Sequence, residues 1–492
     1  MKSQKKIPTS KVQRATKFVK TGVKVGRNYL KHYTKKAINP STSRDELHED
    51  NARDIYNSLS ELKGSALKVA QMMSMEKNVL PKAYSERFTM AQYNAPPLSG
   101  PLVVRTFKKY FGKTPQEIFD KFNMDAVNAA SIGQVHEAFV DGKRLAVKIQ
   151  YPGVADSIES DLKMVRPFAQ RILKLNEQDI EKYMGEVKEK LIEETNYKLE
   201  LERSVEISEA IQKAELGDFA FTKYYPEYSS ERILTMDWMD GLHLPEFLKT
   251  NPSQEVRNKV GQLLWDFYDY QMHTLKKVHA DPHPGNFMMQ ENGTLGVIDF
   301  GCIKVIPEDF YDLYFVVLQP DIIDQPEVLD KALYALNFLY EDDTDEELRF
   351  FKDIFEKLIN LLCRPFRYDT FDFGNDDYFI ELYTFGESLS KMKELRESKK
   401  SRGSHHSLYL NRTYFGLYSM LNELKANIKI TKPFFSFTSP KYAYSPAASR
   451  FAIPFYTFQA ICQYGSRKSG GRQPSGMHLP TFLFYALAHH KS

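Results

Sequence analysis

Two short phrases hold the residues best suited to chemistry. "HADPHPGNF" runs from His279 to Phe287 and "VIDFG" from Val297 to Gly301, so Asp281, Asn286 and Asp299 fall within residues 281–299. Carboxylate and carboxamide oxygens can hold a divalent cation or accept a proton. Taken alone, an aspartate among prolines and a glycine is most often a turn residue. Its weight depends on partners elsewhere in the chain. "RLAVKIQYPGV" (144–154) supplies a lysine, with Leu145, Val147 and Ile149 alternating against Ala146, Lys148 and Gln150. That is a β-strand pattern ending at Pro152, with Lys148 on the face opposite the apolar set. Before it, "VNAASIGQVHEAFV" (127–140) reads as a small-residue turn followed by a strand, and "DGK" (141–143) as a hairpin turn. Small side chains let a loop backbone approach phosphates closely, as a nucleotide lid requires.

The elements that must position these residues follow from periodicity. Residues 57–74 carry Leu59, Leu62, Ala66, Val69 and Met73 at helical spacing, which leaves Gly64, Lys68 and Gln71 on the opposite face. "NAPPLSG" (94–100) then breaks the helical region. Residues 181–203 form a charged helix whose acids could face the strand lysine. "RILTMDWMDG" (232–241) is a strand running into a turn, residues 253–277 are helical again, and the pattern from Pro307 to about Ala426 is mostly helical. Small-residue loop, strand lysine, acidic helix, linking strand, helix, Asp…Asn and Asp-Phe-Gly stand in the order of a protein-kinase fold. The expected architecture is therefore α+β: a kinase-like two-lobed fold with an N-terminal helical extension and a mostly helical C-terminal lobe.

"KVAQ" (68–71), "NAASIGQVH" (128–136), "LAVKIQYPGV" (145–154), "HADPHPGNF" and "IDFGC" together resemble the UbiB/AarF (ABC1-type) family of atypical kinase-like proteins, over roughly residues 50 to 430. The resemblance implies ATP with Mg²⁺ as ligands and a role in isoprenoid-quinone or lipid metabolism. It implies that Ala129, Ala130, Ser131, Ile132, Gly133 and Gln134 form the ATP loop. Lys148 would pair with the α- and β-phosphates and Glu200 would orient it, with Glu194 the alternative partner. Asp281 would take the catalytic-base position, Asn286 and Asp299 would hold the metal, and Asp237 to Met239 would meet the adenine through backbone groups. Lys68, Gln71 and Glu194 would belong to a regulatory extension lying over the substrate site. Two departures stand out: the family's Lys-x-Gly-Gln reads Lys68-Val69-Ala70-Gln71, and its Glu-x-Asp reads Glu194-Thr195-Asn196. The second loses a carboxylate.

Composition sets outer bounds. A net charge of +3 over 492 residues gives no reason to expect a nucleic-acid partner. Three cysteines, Cys302, Cys363 and Cys462, are far apart and fit a reducing compartment. Residues 1–44 hold thirteen Lys or Arg before the first acid, Asp45, with Phe18, Val19, Val23, Val25 and Leu30 interleaved. They read either as a basic amphipathic helix able to touch an anionic membrane or as a frayed basic arm. No apolar run approaches the ~20 residues of a spanning helix. A cytoplasmic or membrane-peripheral location is expected, and the basic segment leaves organellar import open. After Glu423 no Asp or Glu occurs, and 433–492 receive no assignment. The divisions are an arm (1–44), a helical extension (45–125), an N-lobe (126–240), a C-lobe (241–432) and the tail. Two functions compete: an ATP-dependent phosphotransferase or ATPase with an unidentified acceptor, and a nucleotide-responsive regulator without phosphotransfer. A conventional protein kinase is disfavoured, because no Ala-Pro-Glu segment follows Asp299.

Overall fold

The computed structural model describes residues 11–39, 41, 43–62, 66, 83, 84, 87, 98–129, 132–173, 177–392, 394, 395, 400 and 402–432. Ala130, Ser131, Lys68, Gln71 and the tail from 433 lie outside the described residues. The described chain falls into two units. One runs to Glu206 and adds Thr222–Met239, and the other takes Ile207–Phe221 and the described residues from Asp240 onward. A boundary at residue 240 does not include the short excursion at 207–221. That excursion has a sheet partner in the second unit, because Phe219–Phe221 pairs in parallel with Leu295–Val297.

The first unit is built on an antiparallel sheet in the order Lys121–Phe122, Gly133–Val140, Lys143–Gln150, Ile233–Asp237, with Asn128–Ala129 also pairing with the second of these strands. The Asp-Gly turn sets the central hairpin: Asp141 and Gly142 both adopt positive φ, 49° and 75°, and Val140 faces Lys143 across the ladder. Two left-handed residues in sequence match the twist of the flanking strands. The period-2 pattern holds, since Leu145, Val147 and Ile149 are at most 1% exposed. Where one helix is expected over 181–203, there are two, Glu177–Glu194 and Tyr197–Lys213. The break has a local cause. The Thr195 hydroxyl donates to the Ile192 carbonyl at 2.9 Å, and Asn196 Oδ1 accepts the Leu199 N–H at 3.2 Å, capping the second helix.

The basic N-terminal segment forms a helix, Lys11–Ile38, so the frayed-arm alternative does not describe this part. It packs on the helix Asp45–Leu62 through Lys17–Glu61, Thr21–Ser58, Asn28–Asn51 and Lys35–Glu46. The pairs step in opposite directions along the two helices, which makes an antiparallel hairpin. Arg14 anchors it: Nε and Nη2 reach Asp161 at 2.7 and 2.5 Å and Nη1 reaches the Leu62 carbonyl at 2.9 Å, all buried. A paired, fully hydrogen-bonded guanidinium can be buried where an unpaired one could not.

The second unit is mainly helical. Its central helix, Gln254–Tyr270, turns Val260, Leu264 and Phe267 inward at 0% exposure and runs into a π-helical turn, Gln271–Leu275. Lys276 ends that turn in the left-handed region, and the short strand Lys277–His279 follows, paired with Ile303–Val305. Phe287–Met289 pairs with Leu295–Val297. These two small ladders hold the "HADPHPGNF" and "VIDFG" phrases between them. Among the described residues no helix is long and apolar enough to cross a membrane.

Candidate functional site

In the first unit, Lys148 stands between Val135 and Leu234 in the ladder, on the face away from the apolar residues. Its Nζ donates to Glu200 Oε1 at 2.7 Å, and both side chains are largely buried, 13% and 5% exposed. Glu194 ends the preceding helix, beyond the Thr195–Asn196 break. Asn196, the residue that replaces a carboxylate in the sequence motif, caps the helix that delivers Glu200. Tyr197 adds its ring 5.1 Å from Lys148 Nζ.

The small-residue loop is tied down at its end. Tyr151 N–H donates to the Ile132 carbonyl at 2.9 Å. A Cβ on Gly133 would lie 2.4 Å from the Ile149 carbonyl oxygen and 3.0 Å from the Tyr197 hydroxyl, so the strand approaches there only because the residue is glycine. Gly133→Ala is expected to cost about 1–3 kcal/mol, the scale of forced overpacking, read as a lowered thermal or urea midpoint. Unchanged stability would mean the two strands are farther apart than this. Gln134 does not present its side chain to a ligand. Its amide is 1% exposed, accepts the Leu98 N–H at 2.7 Å and meets the His136 ring at 2.6 Å. Asp237 Oδ1 accepts the Tyr225 hydroxyl at 2.7 Å, and the Asp237 and Trp238 N–H groups already serve the Lys223 and Arg144 carbonyls.

In the second unit, the loop after Lys277–His279 is wound on Asp281. The Asp281 carbonyl accepts the His283 N–H at 2.7 Å and the Asn286 side-chain amide at 2.9 Å. Ile298 N–H donates to the Asn286 carbonyl at 3.1 Å, which brings the Asn286 backbone beside that of Asp299. His279, fully buried, donates from Nε2 to the Asp299 carbonyl at 2.8 Å, and Asp299 Oδ1 takes the Gly301 N–H at 2.7 Å. Asp281, Asn286 and Asp299 are thus gathered into one hydrogen-bonded assembly.

The side chain of Asp281 has a partner that sequence reasoning missed. Arg412, on the helix His405–Leu424, reaches Asp281 Oδ1 at 2.7 Å and is 5% exposed. A lone arginine inside an amphipathic helix carries no local signal of such a role. The Tyr268 phenol lies in the same field. Burial pushes its pKa well up, with the Asp281 charge adding to the rise and Arg412 opposing it. His279, quoted in the opening phrase without a task, fixes the backbone of Asp299.

Among the described residues no group of three or more His, Cys, Asp or Glu is placed so that it could hold a metal ion by itself. The donor set still fits Mg²⁺, which keeps waters and takes phosphate oxygens while binding one or two protein groups. With Asn286 Nδ2 turned to Asp281, its Oδ1 would be the pole left for a cation, and Asp299 would supply the carboxylate.

A lysine–glutamate pair on a five-stranded antiparallel sheet and an Asp/Asn/Asp assembly in a helical unit define a two-lobed, kinase-like α+β protein. Residues 90–325 match the model of the ABC1 atypical kinase-like domain, the UbiB/AarF-type family that the sequence phrases resemble. It is similar to "Probable serine/threonine-protein kinase abkA" of Dictyostelium discoideum, 29% identical over 89% of this chain and 80% of that protein. It is equally similar, at 29% identity, to "Atypical kinase COQ8, mitochondrial" of Saccharomyces cerevisiae, over 75% of this chain and 74% of that one. A solved structure, the complex of Rv3197 with erythromycin from Mycobacterium tuberculosis, superposes with a TM-score of 0.53 over 78% of this chain and 94% of that one. Its sequence identity of 24% makes it a likeness of fold.

Proposed function

We propose that the chain binds ATP with Mg²⁺ and hydrolyses it or transfers its terminal phosphoryl group to a small or lipid-like acceptor in isoprenoid-quinone or lipid metabolism. The Lys148–Glu200 ion pair at 2.7 Å carries this reading. A strand lysine held by a helix glutamate is the arrangement that kinases need in place before phosphoryl transfer. Lys148 would neutralise the α- and β-phosphates, with Glu200 fixing its direction. The backbone at Ala129 to Gly133 would approach the phosphates, and the Asp237 carbonyl and Met239 backbone would meet the adenine. Asn286 and Asp299 would hold the Mg²⁺, which when bound supplies charge neutralisation at the phosphate oxygens. Asp281 would orient the attacking hydroxyl or water and accept its proton. Lys68, Gln71 and Glu194 are proposed to regulate the site through the N-terminal extension. The acceptor class rests on the family resemblance and on the COQ8 relative. Turnover of Mg-ATP by the purified chain, with and without detergent-dispersed isoprenoid lipids, tests it. Nucleotide binding without turnover under every condition would leave the regulator reading.

The N-terminal helix gives the lipid link a physical basis. Opposite the side packed on Asp45–Leu62, Val19, Val23 and Leu30 are 67–69% exposed, with Lys20 and Arg27 exposed beside them. An apolar stripe flanked by cations fits an anionic membrane surface. The full chain should co-sediment with phosphatidylserine vesicles and not with phosphatidylcholine ones. The Val19→Asp/Val23→Asp pair should weaken that binding about tenfold or more, since it removes buried apolar area and adds repelling charge. Equal binding by the double variant would exclude this face.

A further inference from the structure

We propose that Arg412 is a positioning residue for Asp281, and that the helix His405–Leu424, which lies beyond the residues matched to the ABC1 domain, is part of the reacting half of the site. The inference rests on the reading of Asp281 as the residue that orients the attacking group. Two observations carry it.

First, the backbone bonds of Asp281 to His283 and Asn286 do not touch its carboxylate, whereas Arg412 Nη2, at 2.7 Å from Oδ1, holds it directly. A carboxylate offers about four lone-pair directions, of which this bond takes one. Asp281 keeps 38% of its side-chain surface while Arg412 keeps 5%, so the arginine is the buried support and the aspartate the presented end.

Second, the same helix seats the next loop residue. One turn beyond Arg412, a Cβ on Gly416 would lie 2.3 Å from Pro282 Cγ and 2.9 Å from the Pro282 carbonyl oxygen. Positions 412 and 416 share a helix face. The helix therefore grips Asp281 by charge and Pro282 by close packing, two consecutive residues of the loop.

The test is a double-mutant cycle on the full chain, read as kcat and KM for Mg-ATP. Arg412→Met should lower kcat about tenfold or more, with KM for ATP changed less than about twofold, the signature of an interaction that matters in the transition state. In an Asp281→Asn background the same substitution should change kcat less than about twofold, because its effect runs through the carboxylate. Arg412→Lys, which restores a cation and a donor, should recover most of the loss. An equal loss in both backgrounds would mark a merely structural role and overturn the proposal, as would wild-type kcat in Arg412→Met. If Arg412→Met does not fold, Arg412→Gln takes its place in the cycle, and the same results support or overturn the proposal. Absence of turnover in the wild type would sink the enzymatic reading and this proposal together, whereas wild-type turnover with an insensitive Arg412 would sink this proposal alone.

Discussion

Asp281→Asn is expected to cut ATP turnover by about 10²-fold or more, the usual scale for a positioned general base. The substitution keeps the size of the side chain and an oxygen that can still accept the Arg412 hydrogen bond. It removes the negative charge and most of the basicity. The loop should stay in place, because its bends depend on the Asp281 carbonyl, which the change does not touch. Thermal stability and the Mg-ATP-dependent rise in melting temperature should therefore persist while turnover falls. Wild-type turnover in the variant would show that Asp281 takes no part in the chemistry, and the regulator reading would take over.

Asp299→Asn should erase most of the Mg²⁺-dependent stabilisation by ATP. A ligand that binds only the folded state stabilises it by about 2.7 kcal/mol at a hundredfold excess over Kd, which moves the melting temperature by several degrees. A carboxamide at 299 can still accept the Gly301 N–H that Asp299 Oδ1 accepts at 2.7 Å, so the local turn is kept. What is lost is the charge that a hard cation requires. Asn286→Ala should weaken the same metal-dependent shift and turnover together, because it removes both the ligating oxygen and the amide that holds the Asp281 carbonyl. The discriminating measurement is melting temperature with ATP alone against ATP with Mg²⁺. An equal Mg²⁺ response in Asp299→Asn and wild type would remove Asp299 from the metal site.

Much of the fold was legible in the residues, and the reason is locality. The hairpin around Asp141-Gly142 follows from turn chemistry, and the burial of Leu145, Val147 and Ile149 follows from a period of two. The order of the kinase-like parts is a property of the chain itself and needs no contact map. The charged stretch 181–203 was less legible. Its average composition is helical throughout, and the break lies in the two side chains of Thr195 and Asn196 that compete for backbone bonds.

The residue types of the site were determined by the sequence: Lys148, Asp281, Asn286 and Asp299, each embedded in a phrase whose spacing allows few alternatives. Their partners were decided by tertiary structure. Glu194 and Glu200 are both acids on a charged stretch, and the helix break with its cap starts the helix that brings Glu200 to Lys148. Gln134 sits in the small-residue loop by sequence, yet packing turns its amide inward to Leu98 and His136. Arg412 stands 131 residues from Asp281, and nothing near either residue announces the other. Periodicity and turn preference act over a few residues along the chain. An ion pair to a distant helix depends on where the whole chain has gone, and the burial of its arginine end lowers the local dielectric and makes the pair consequential.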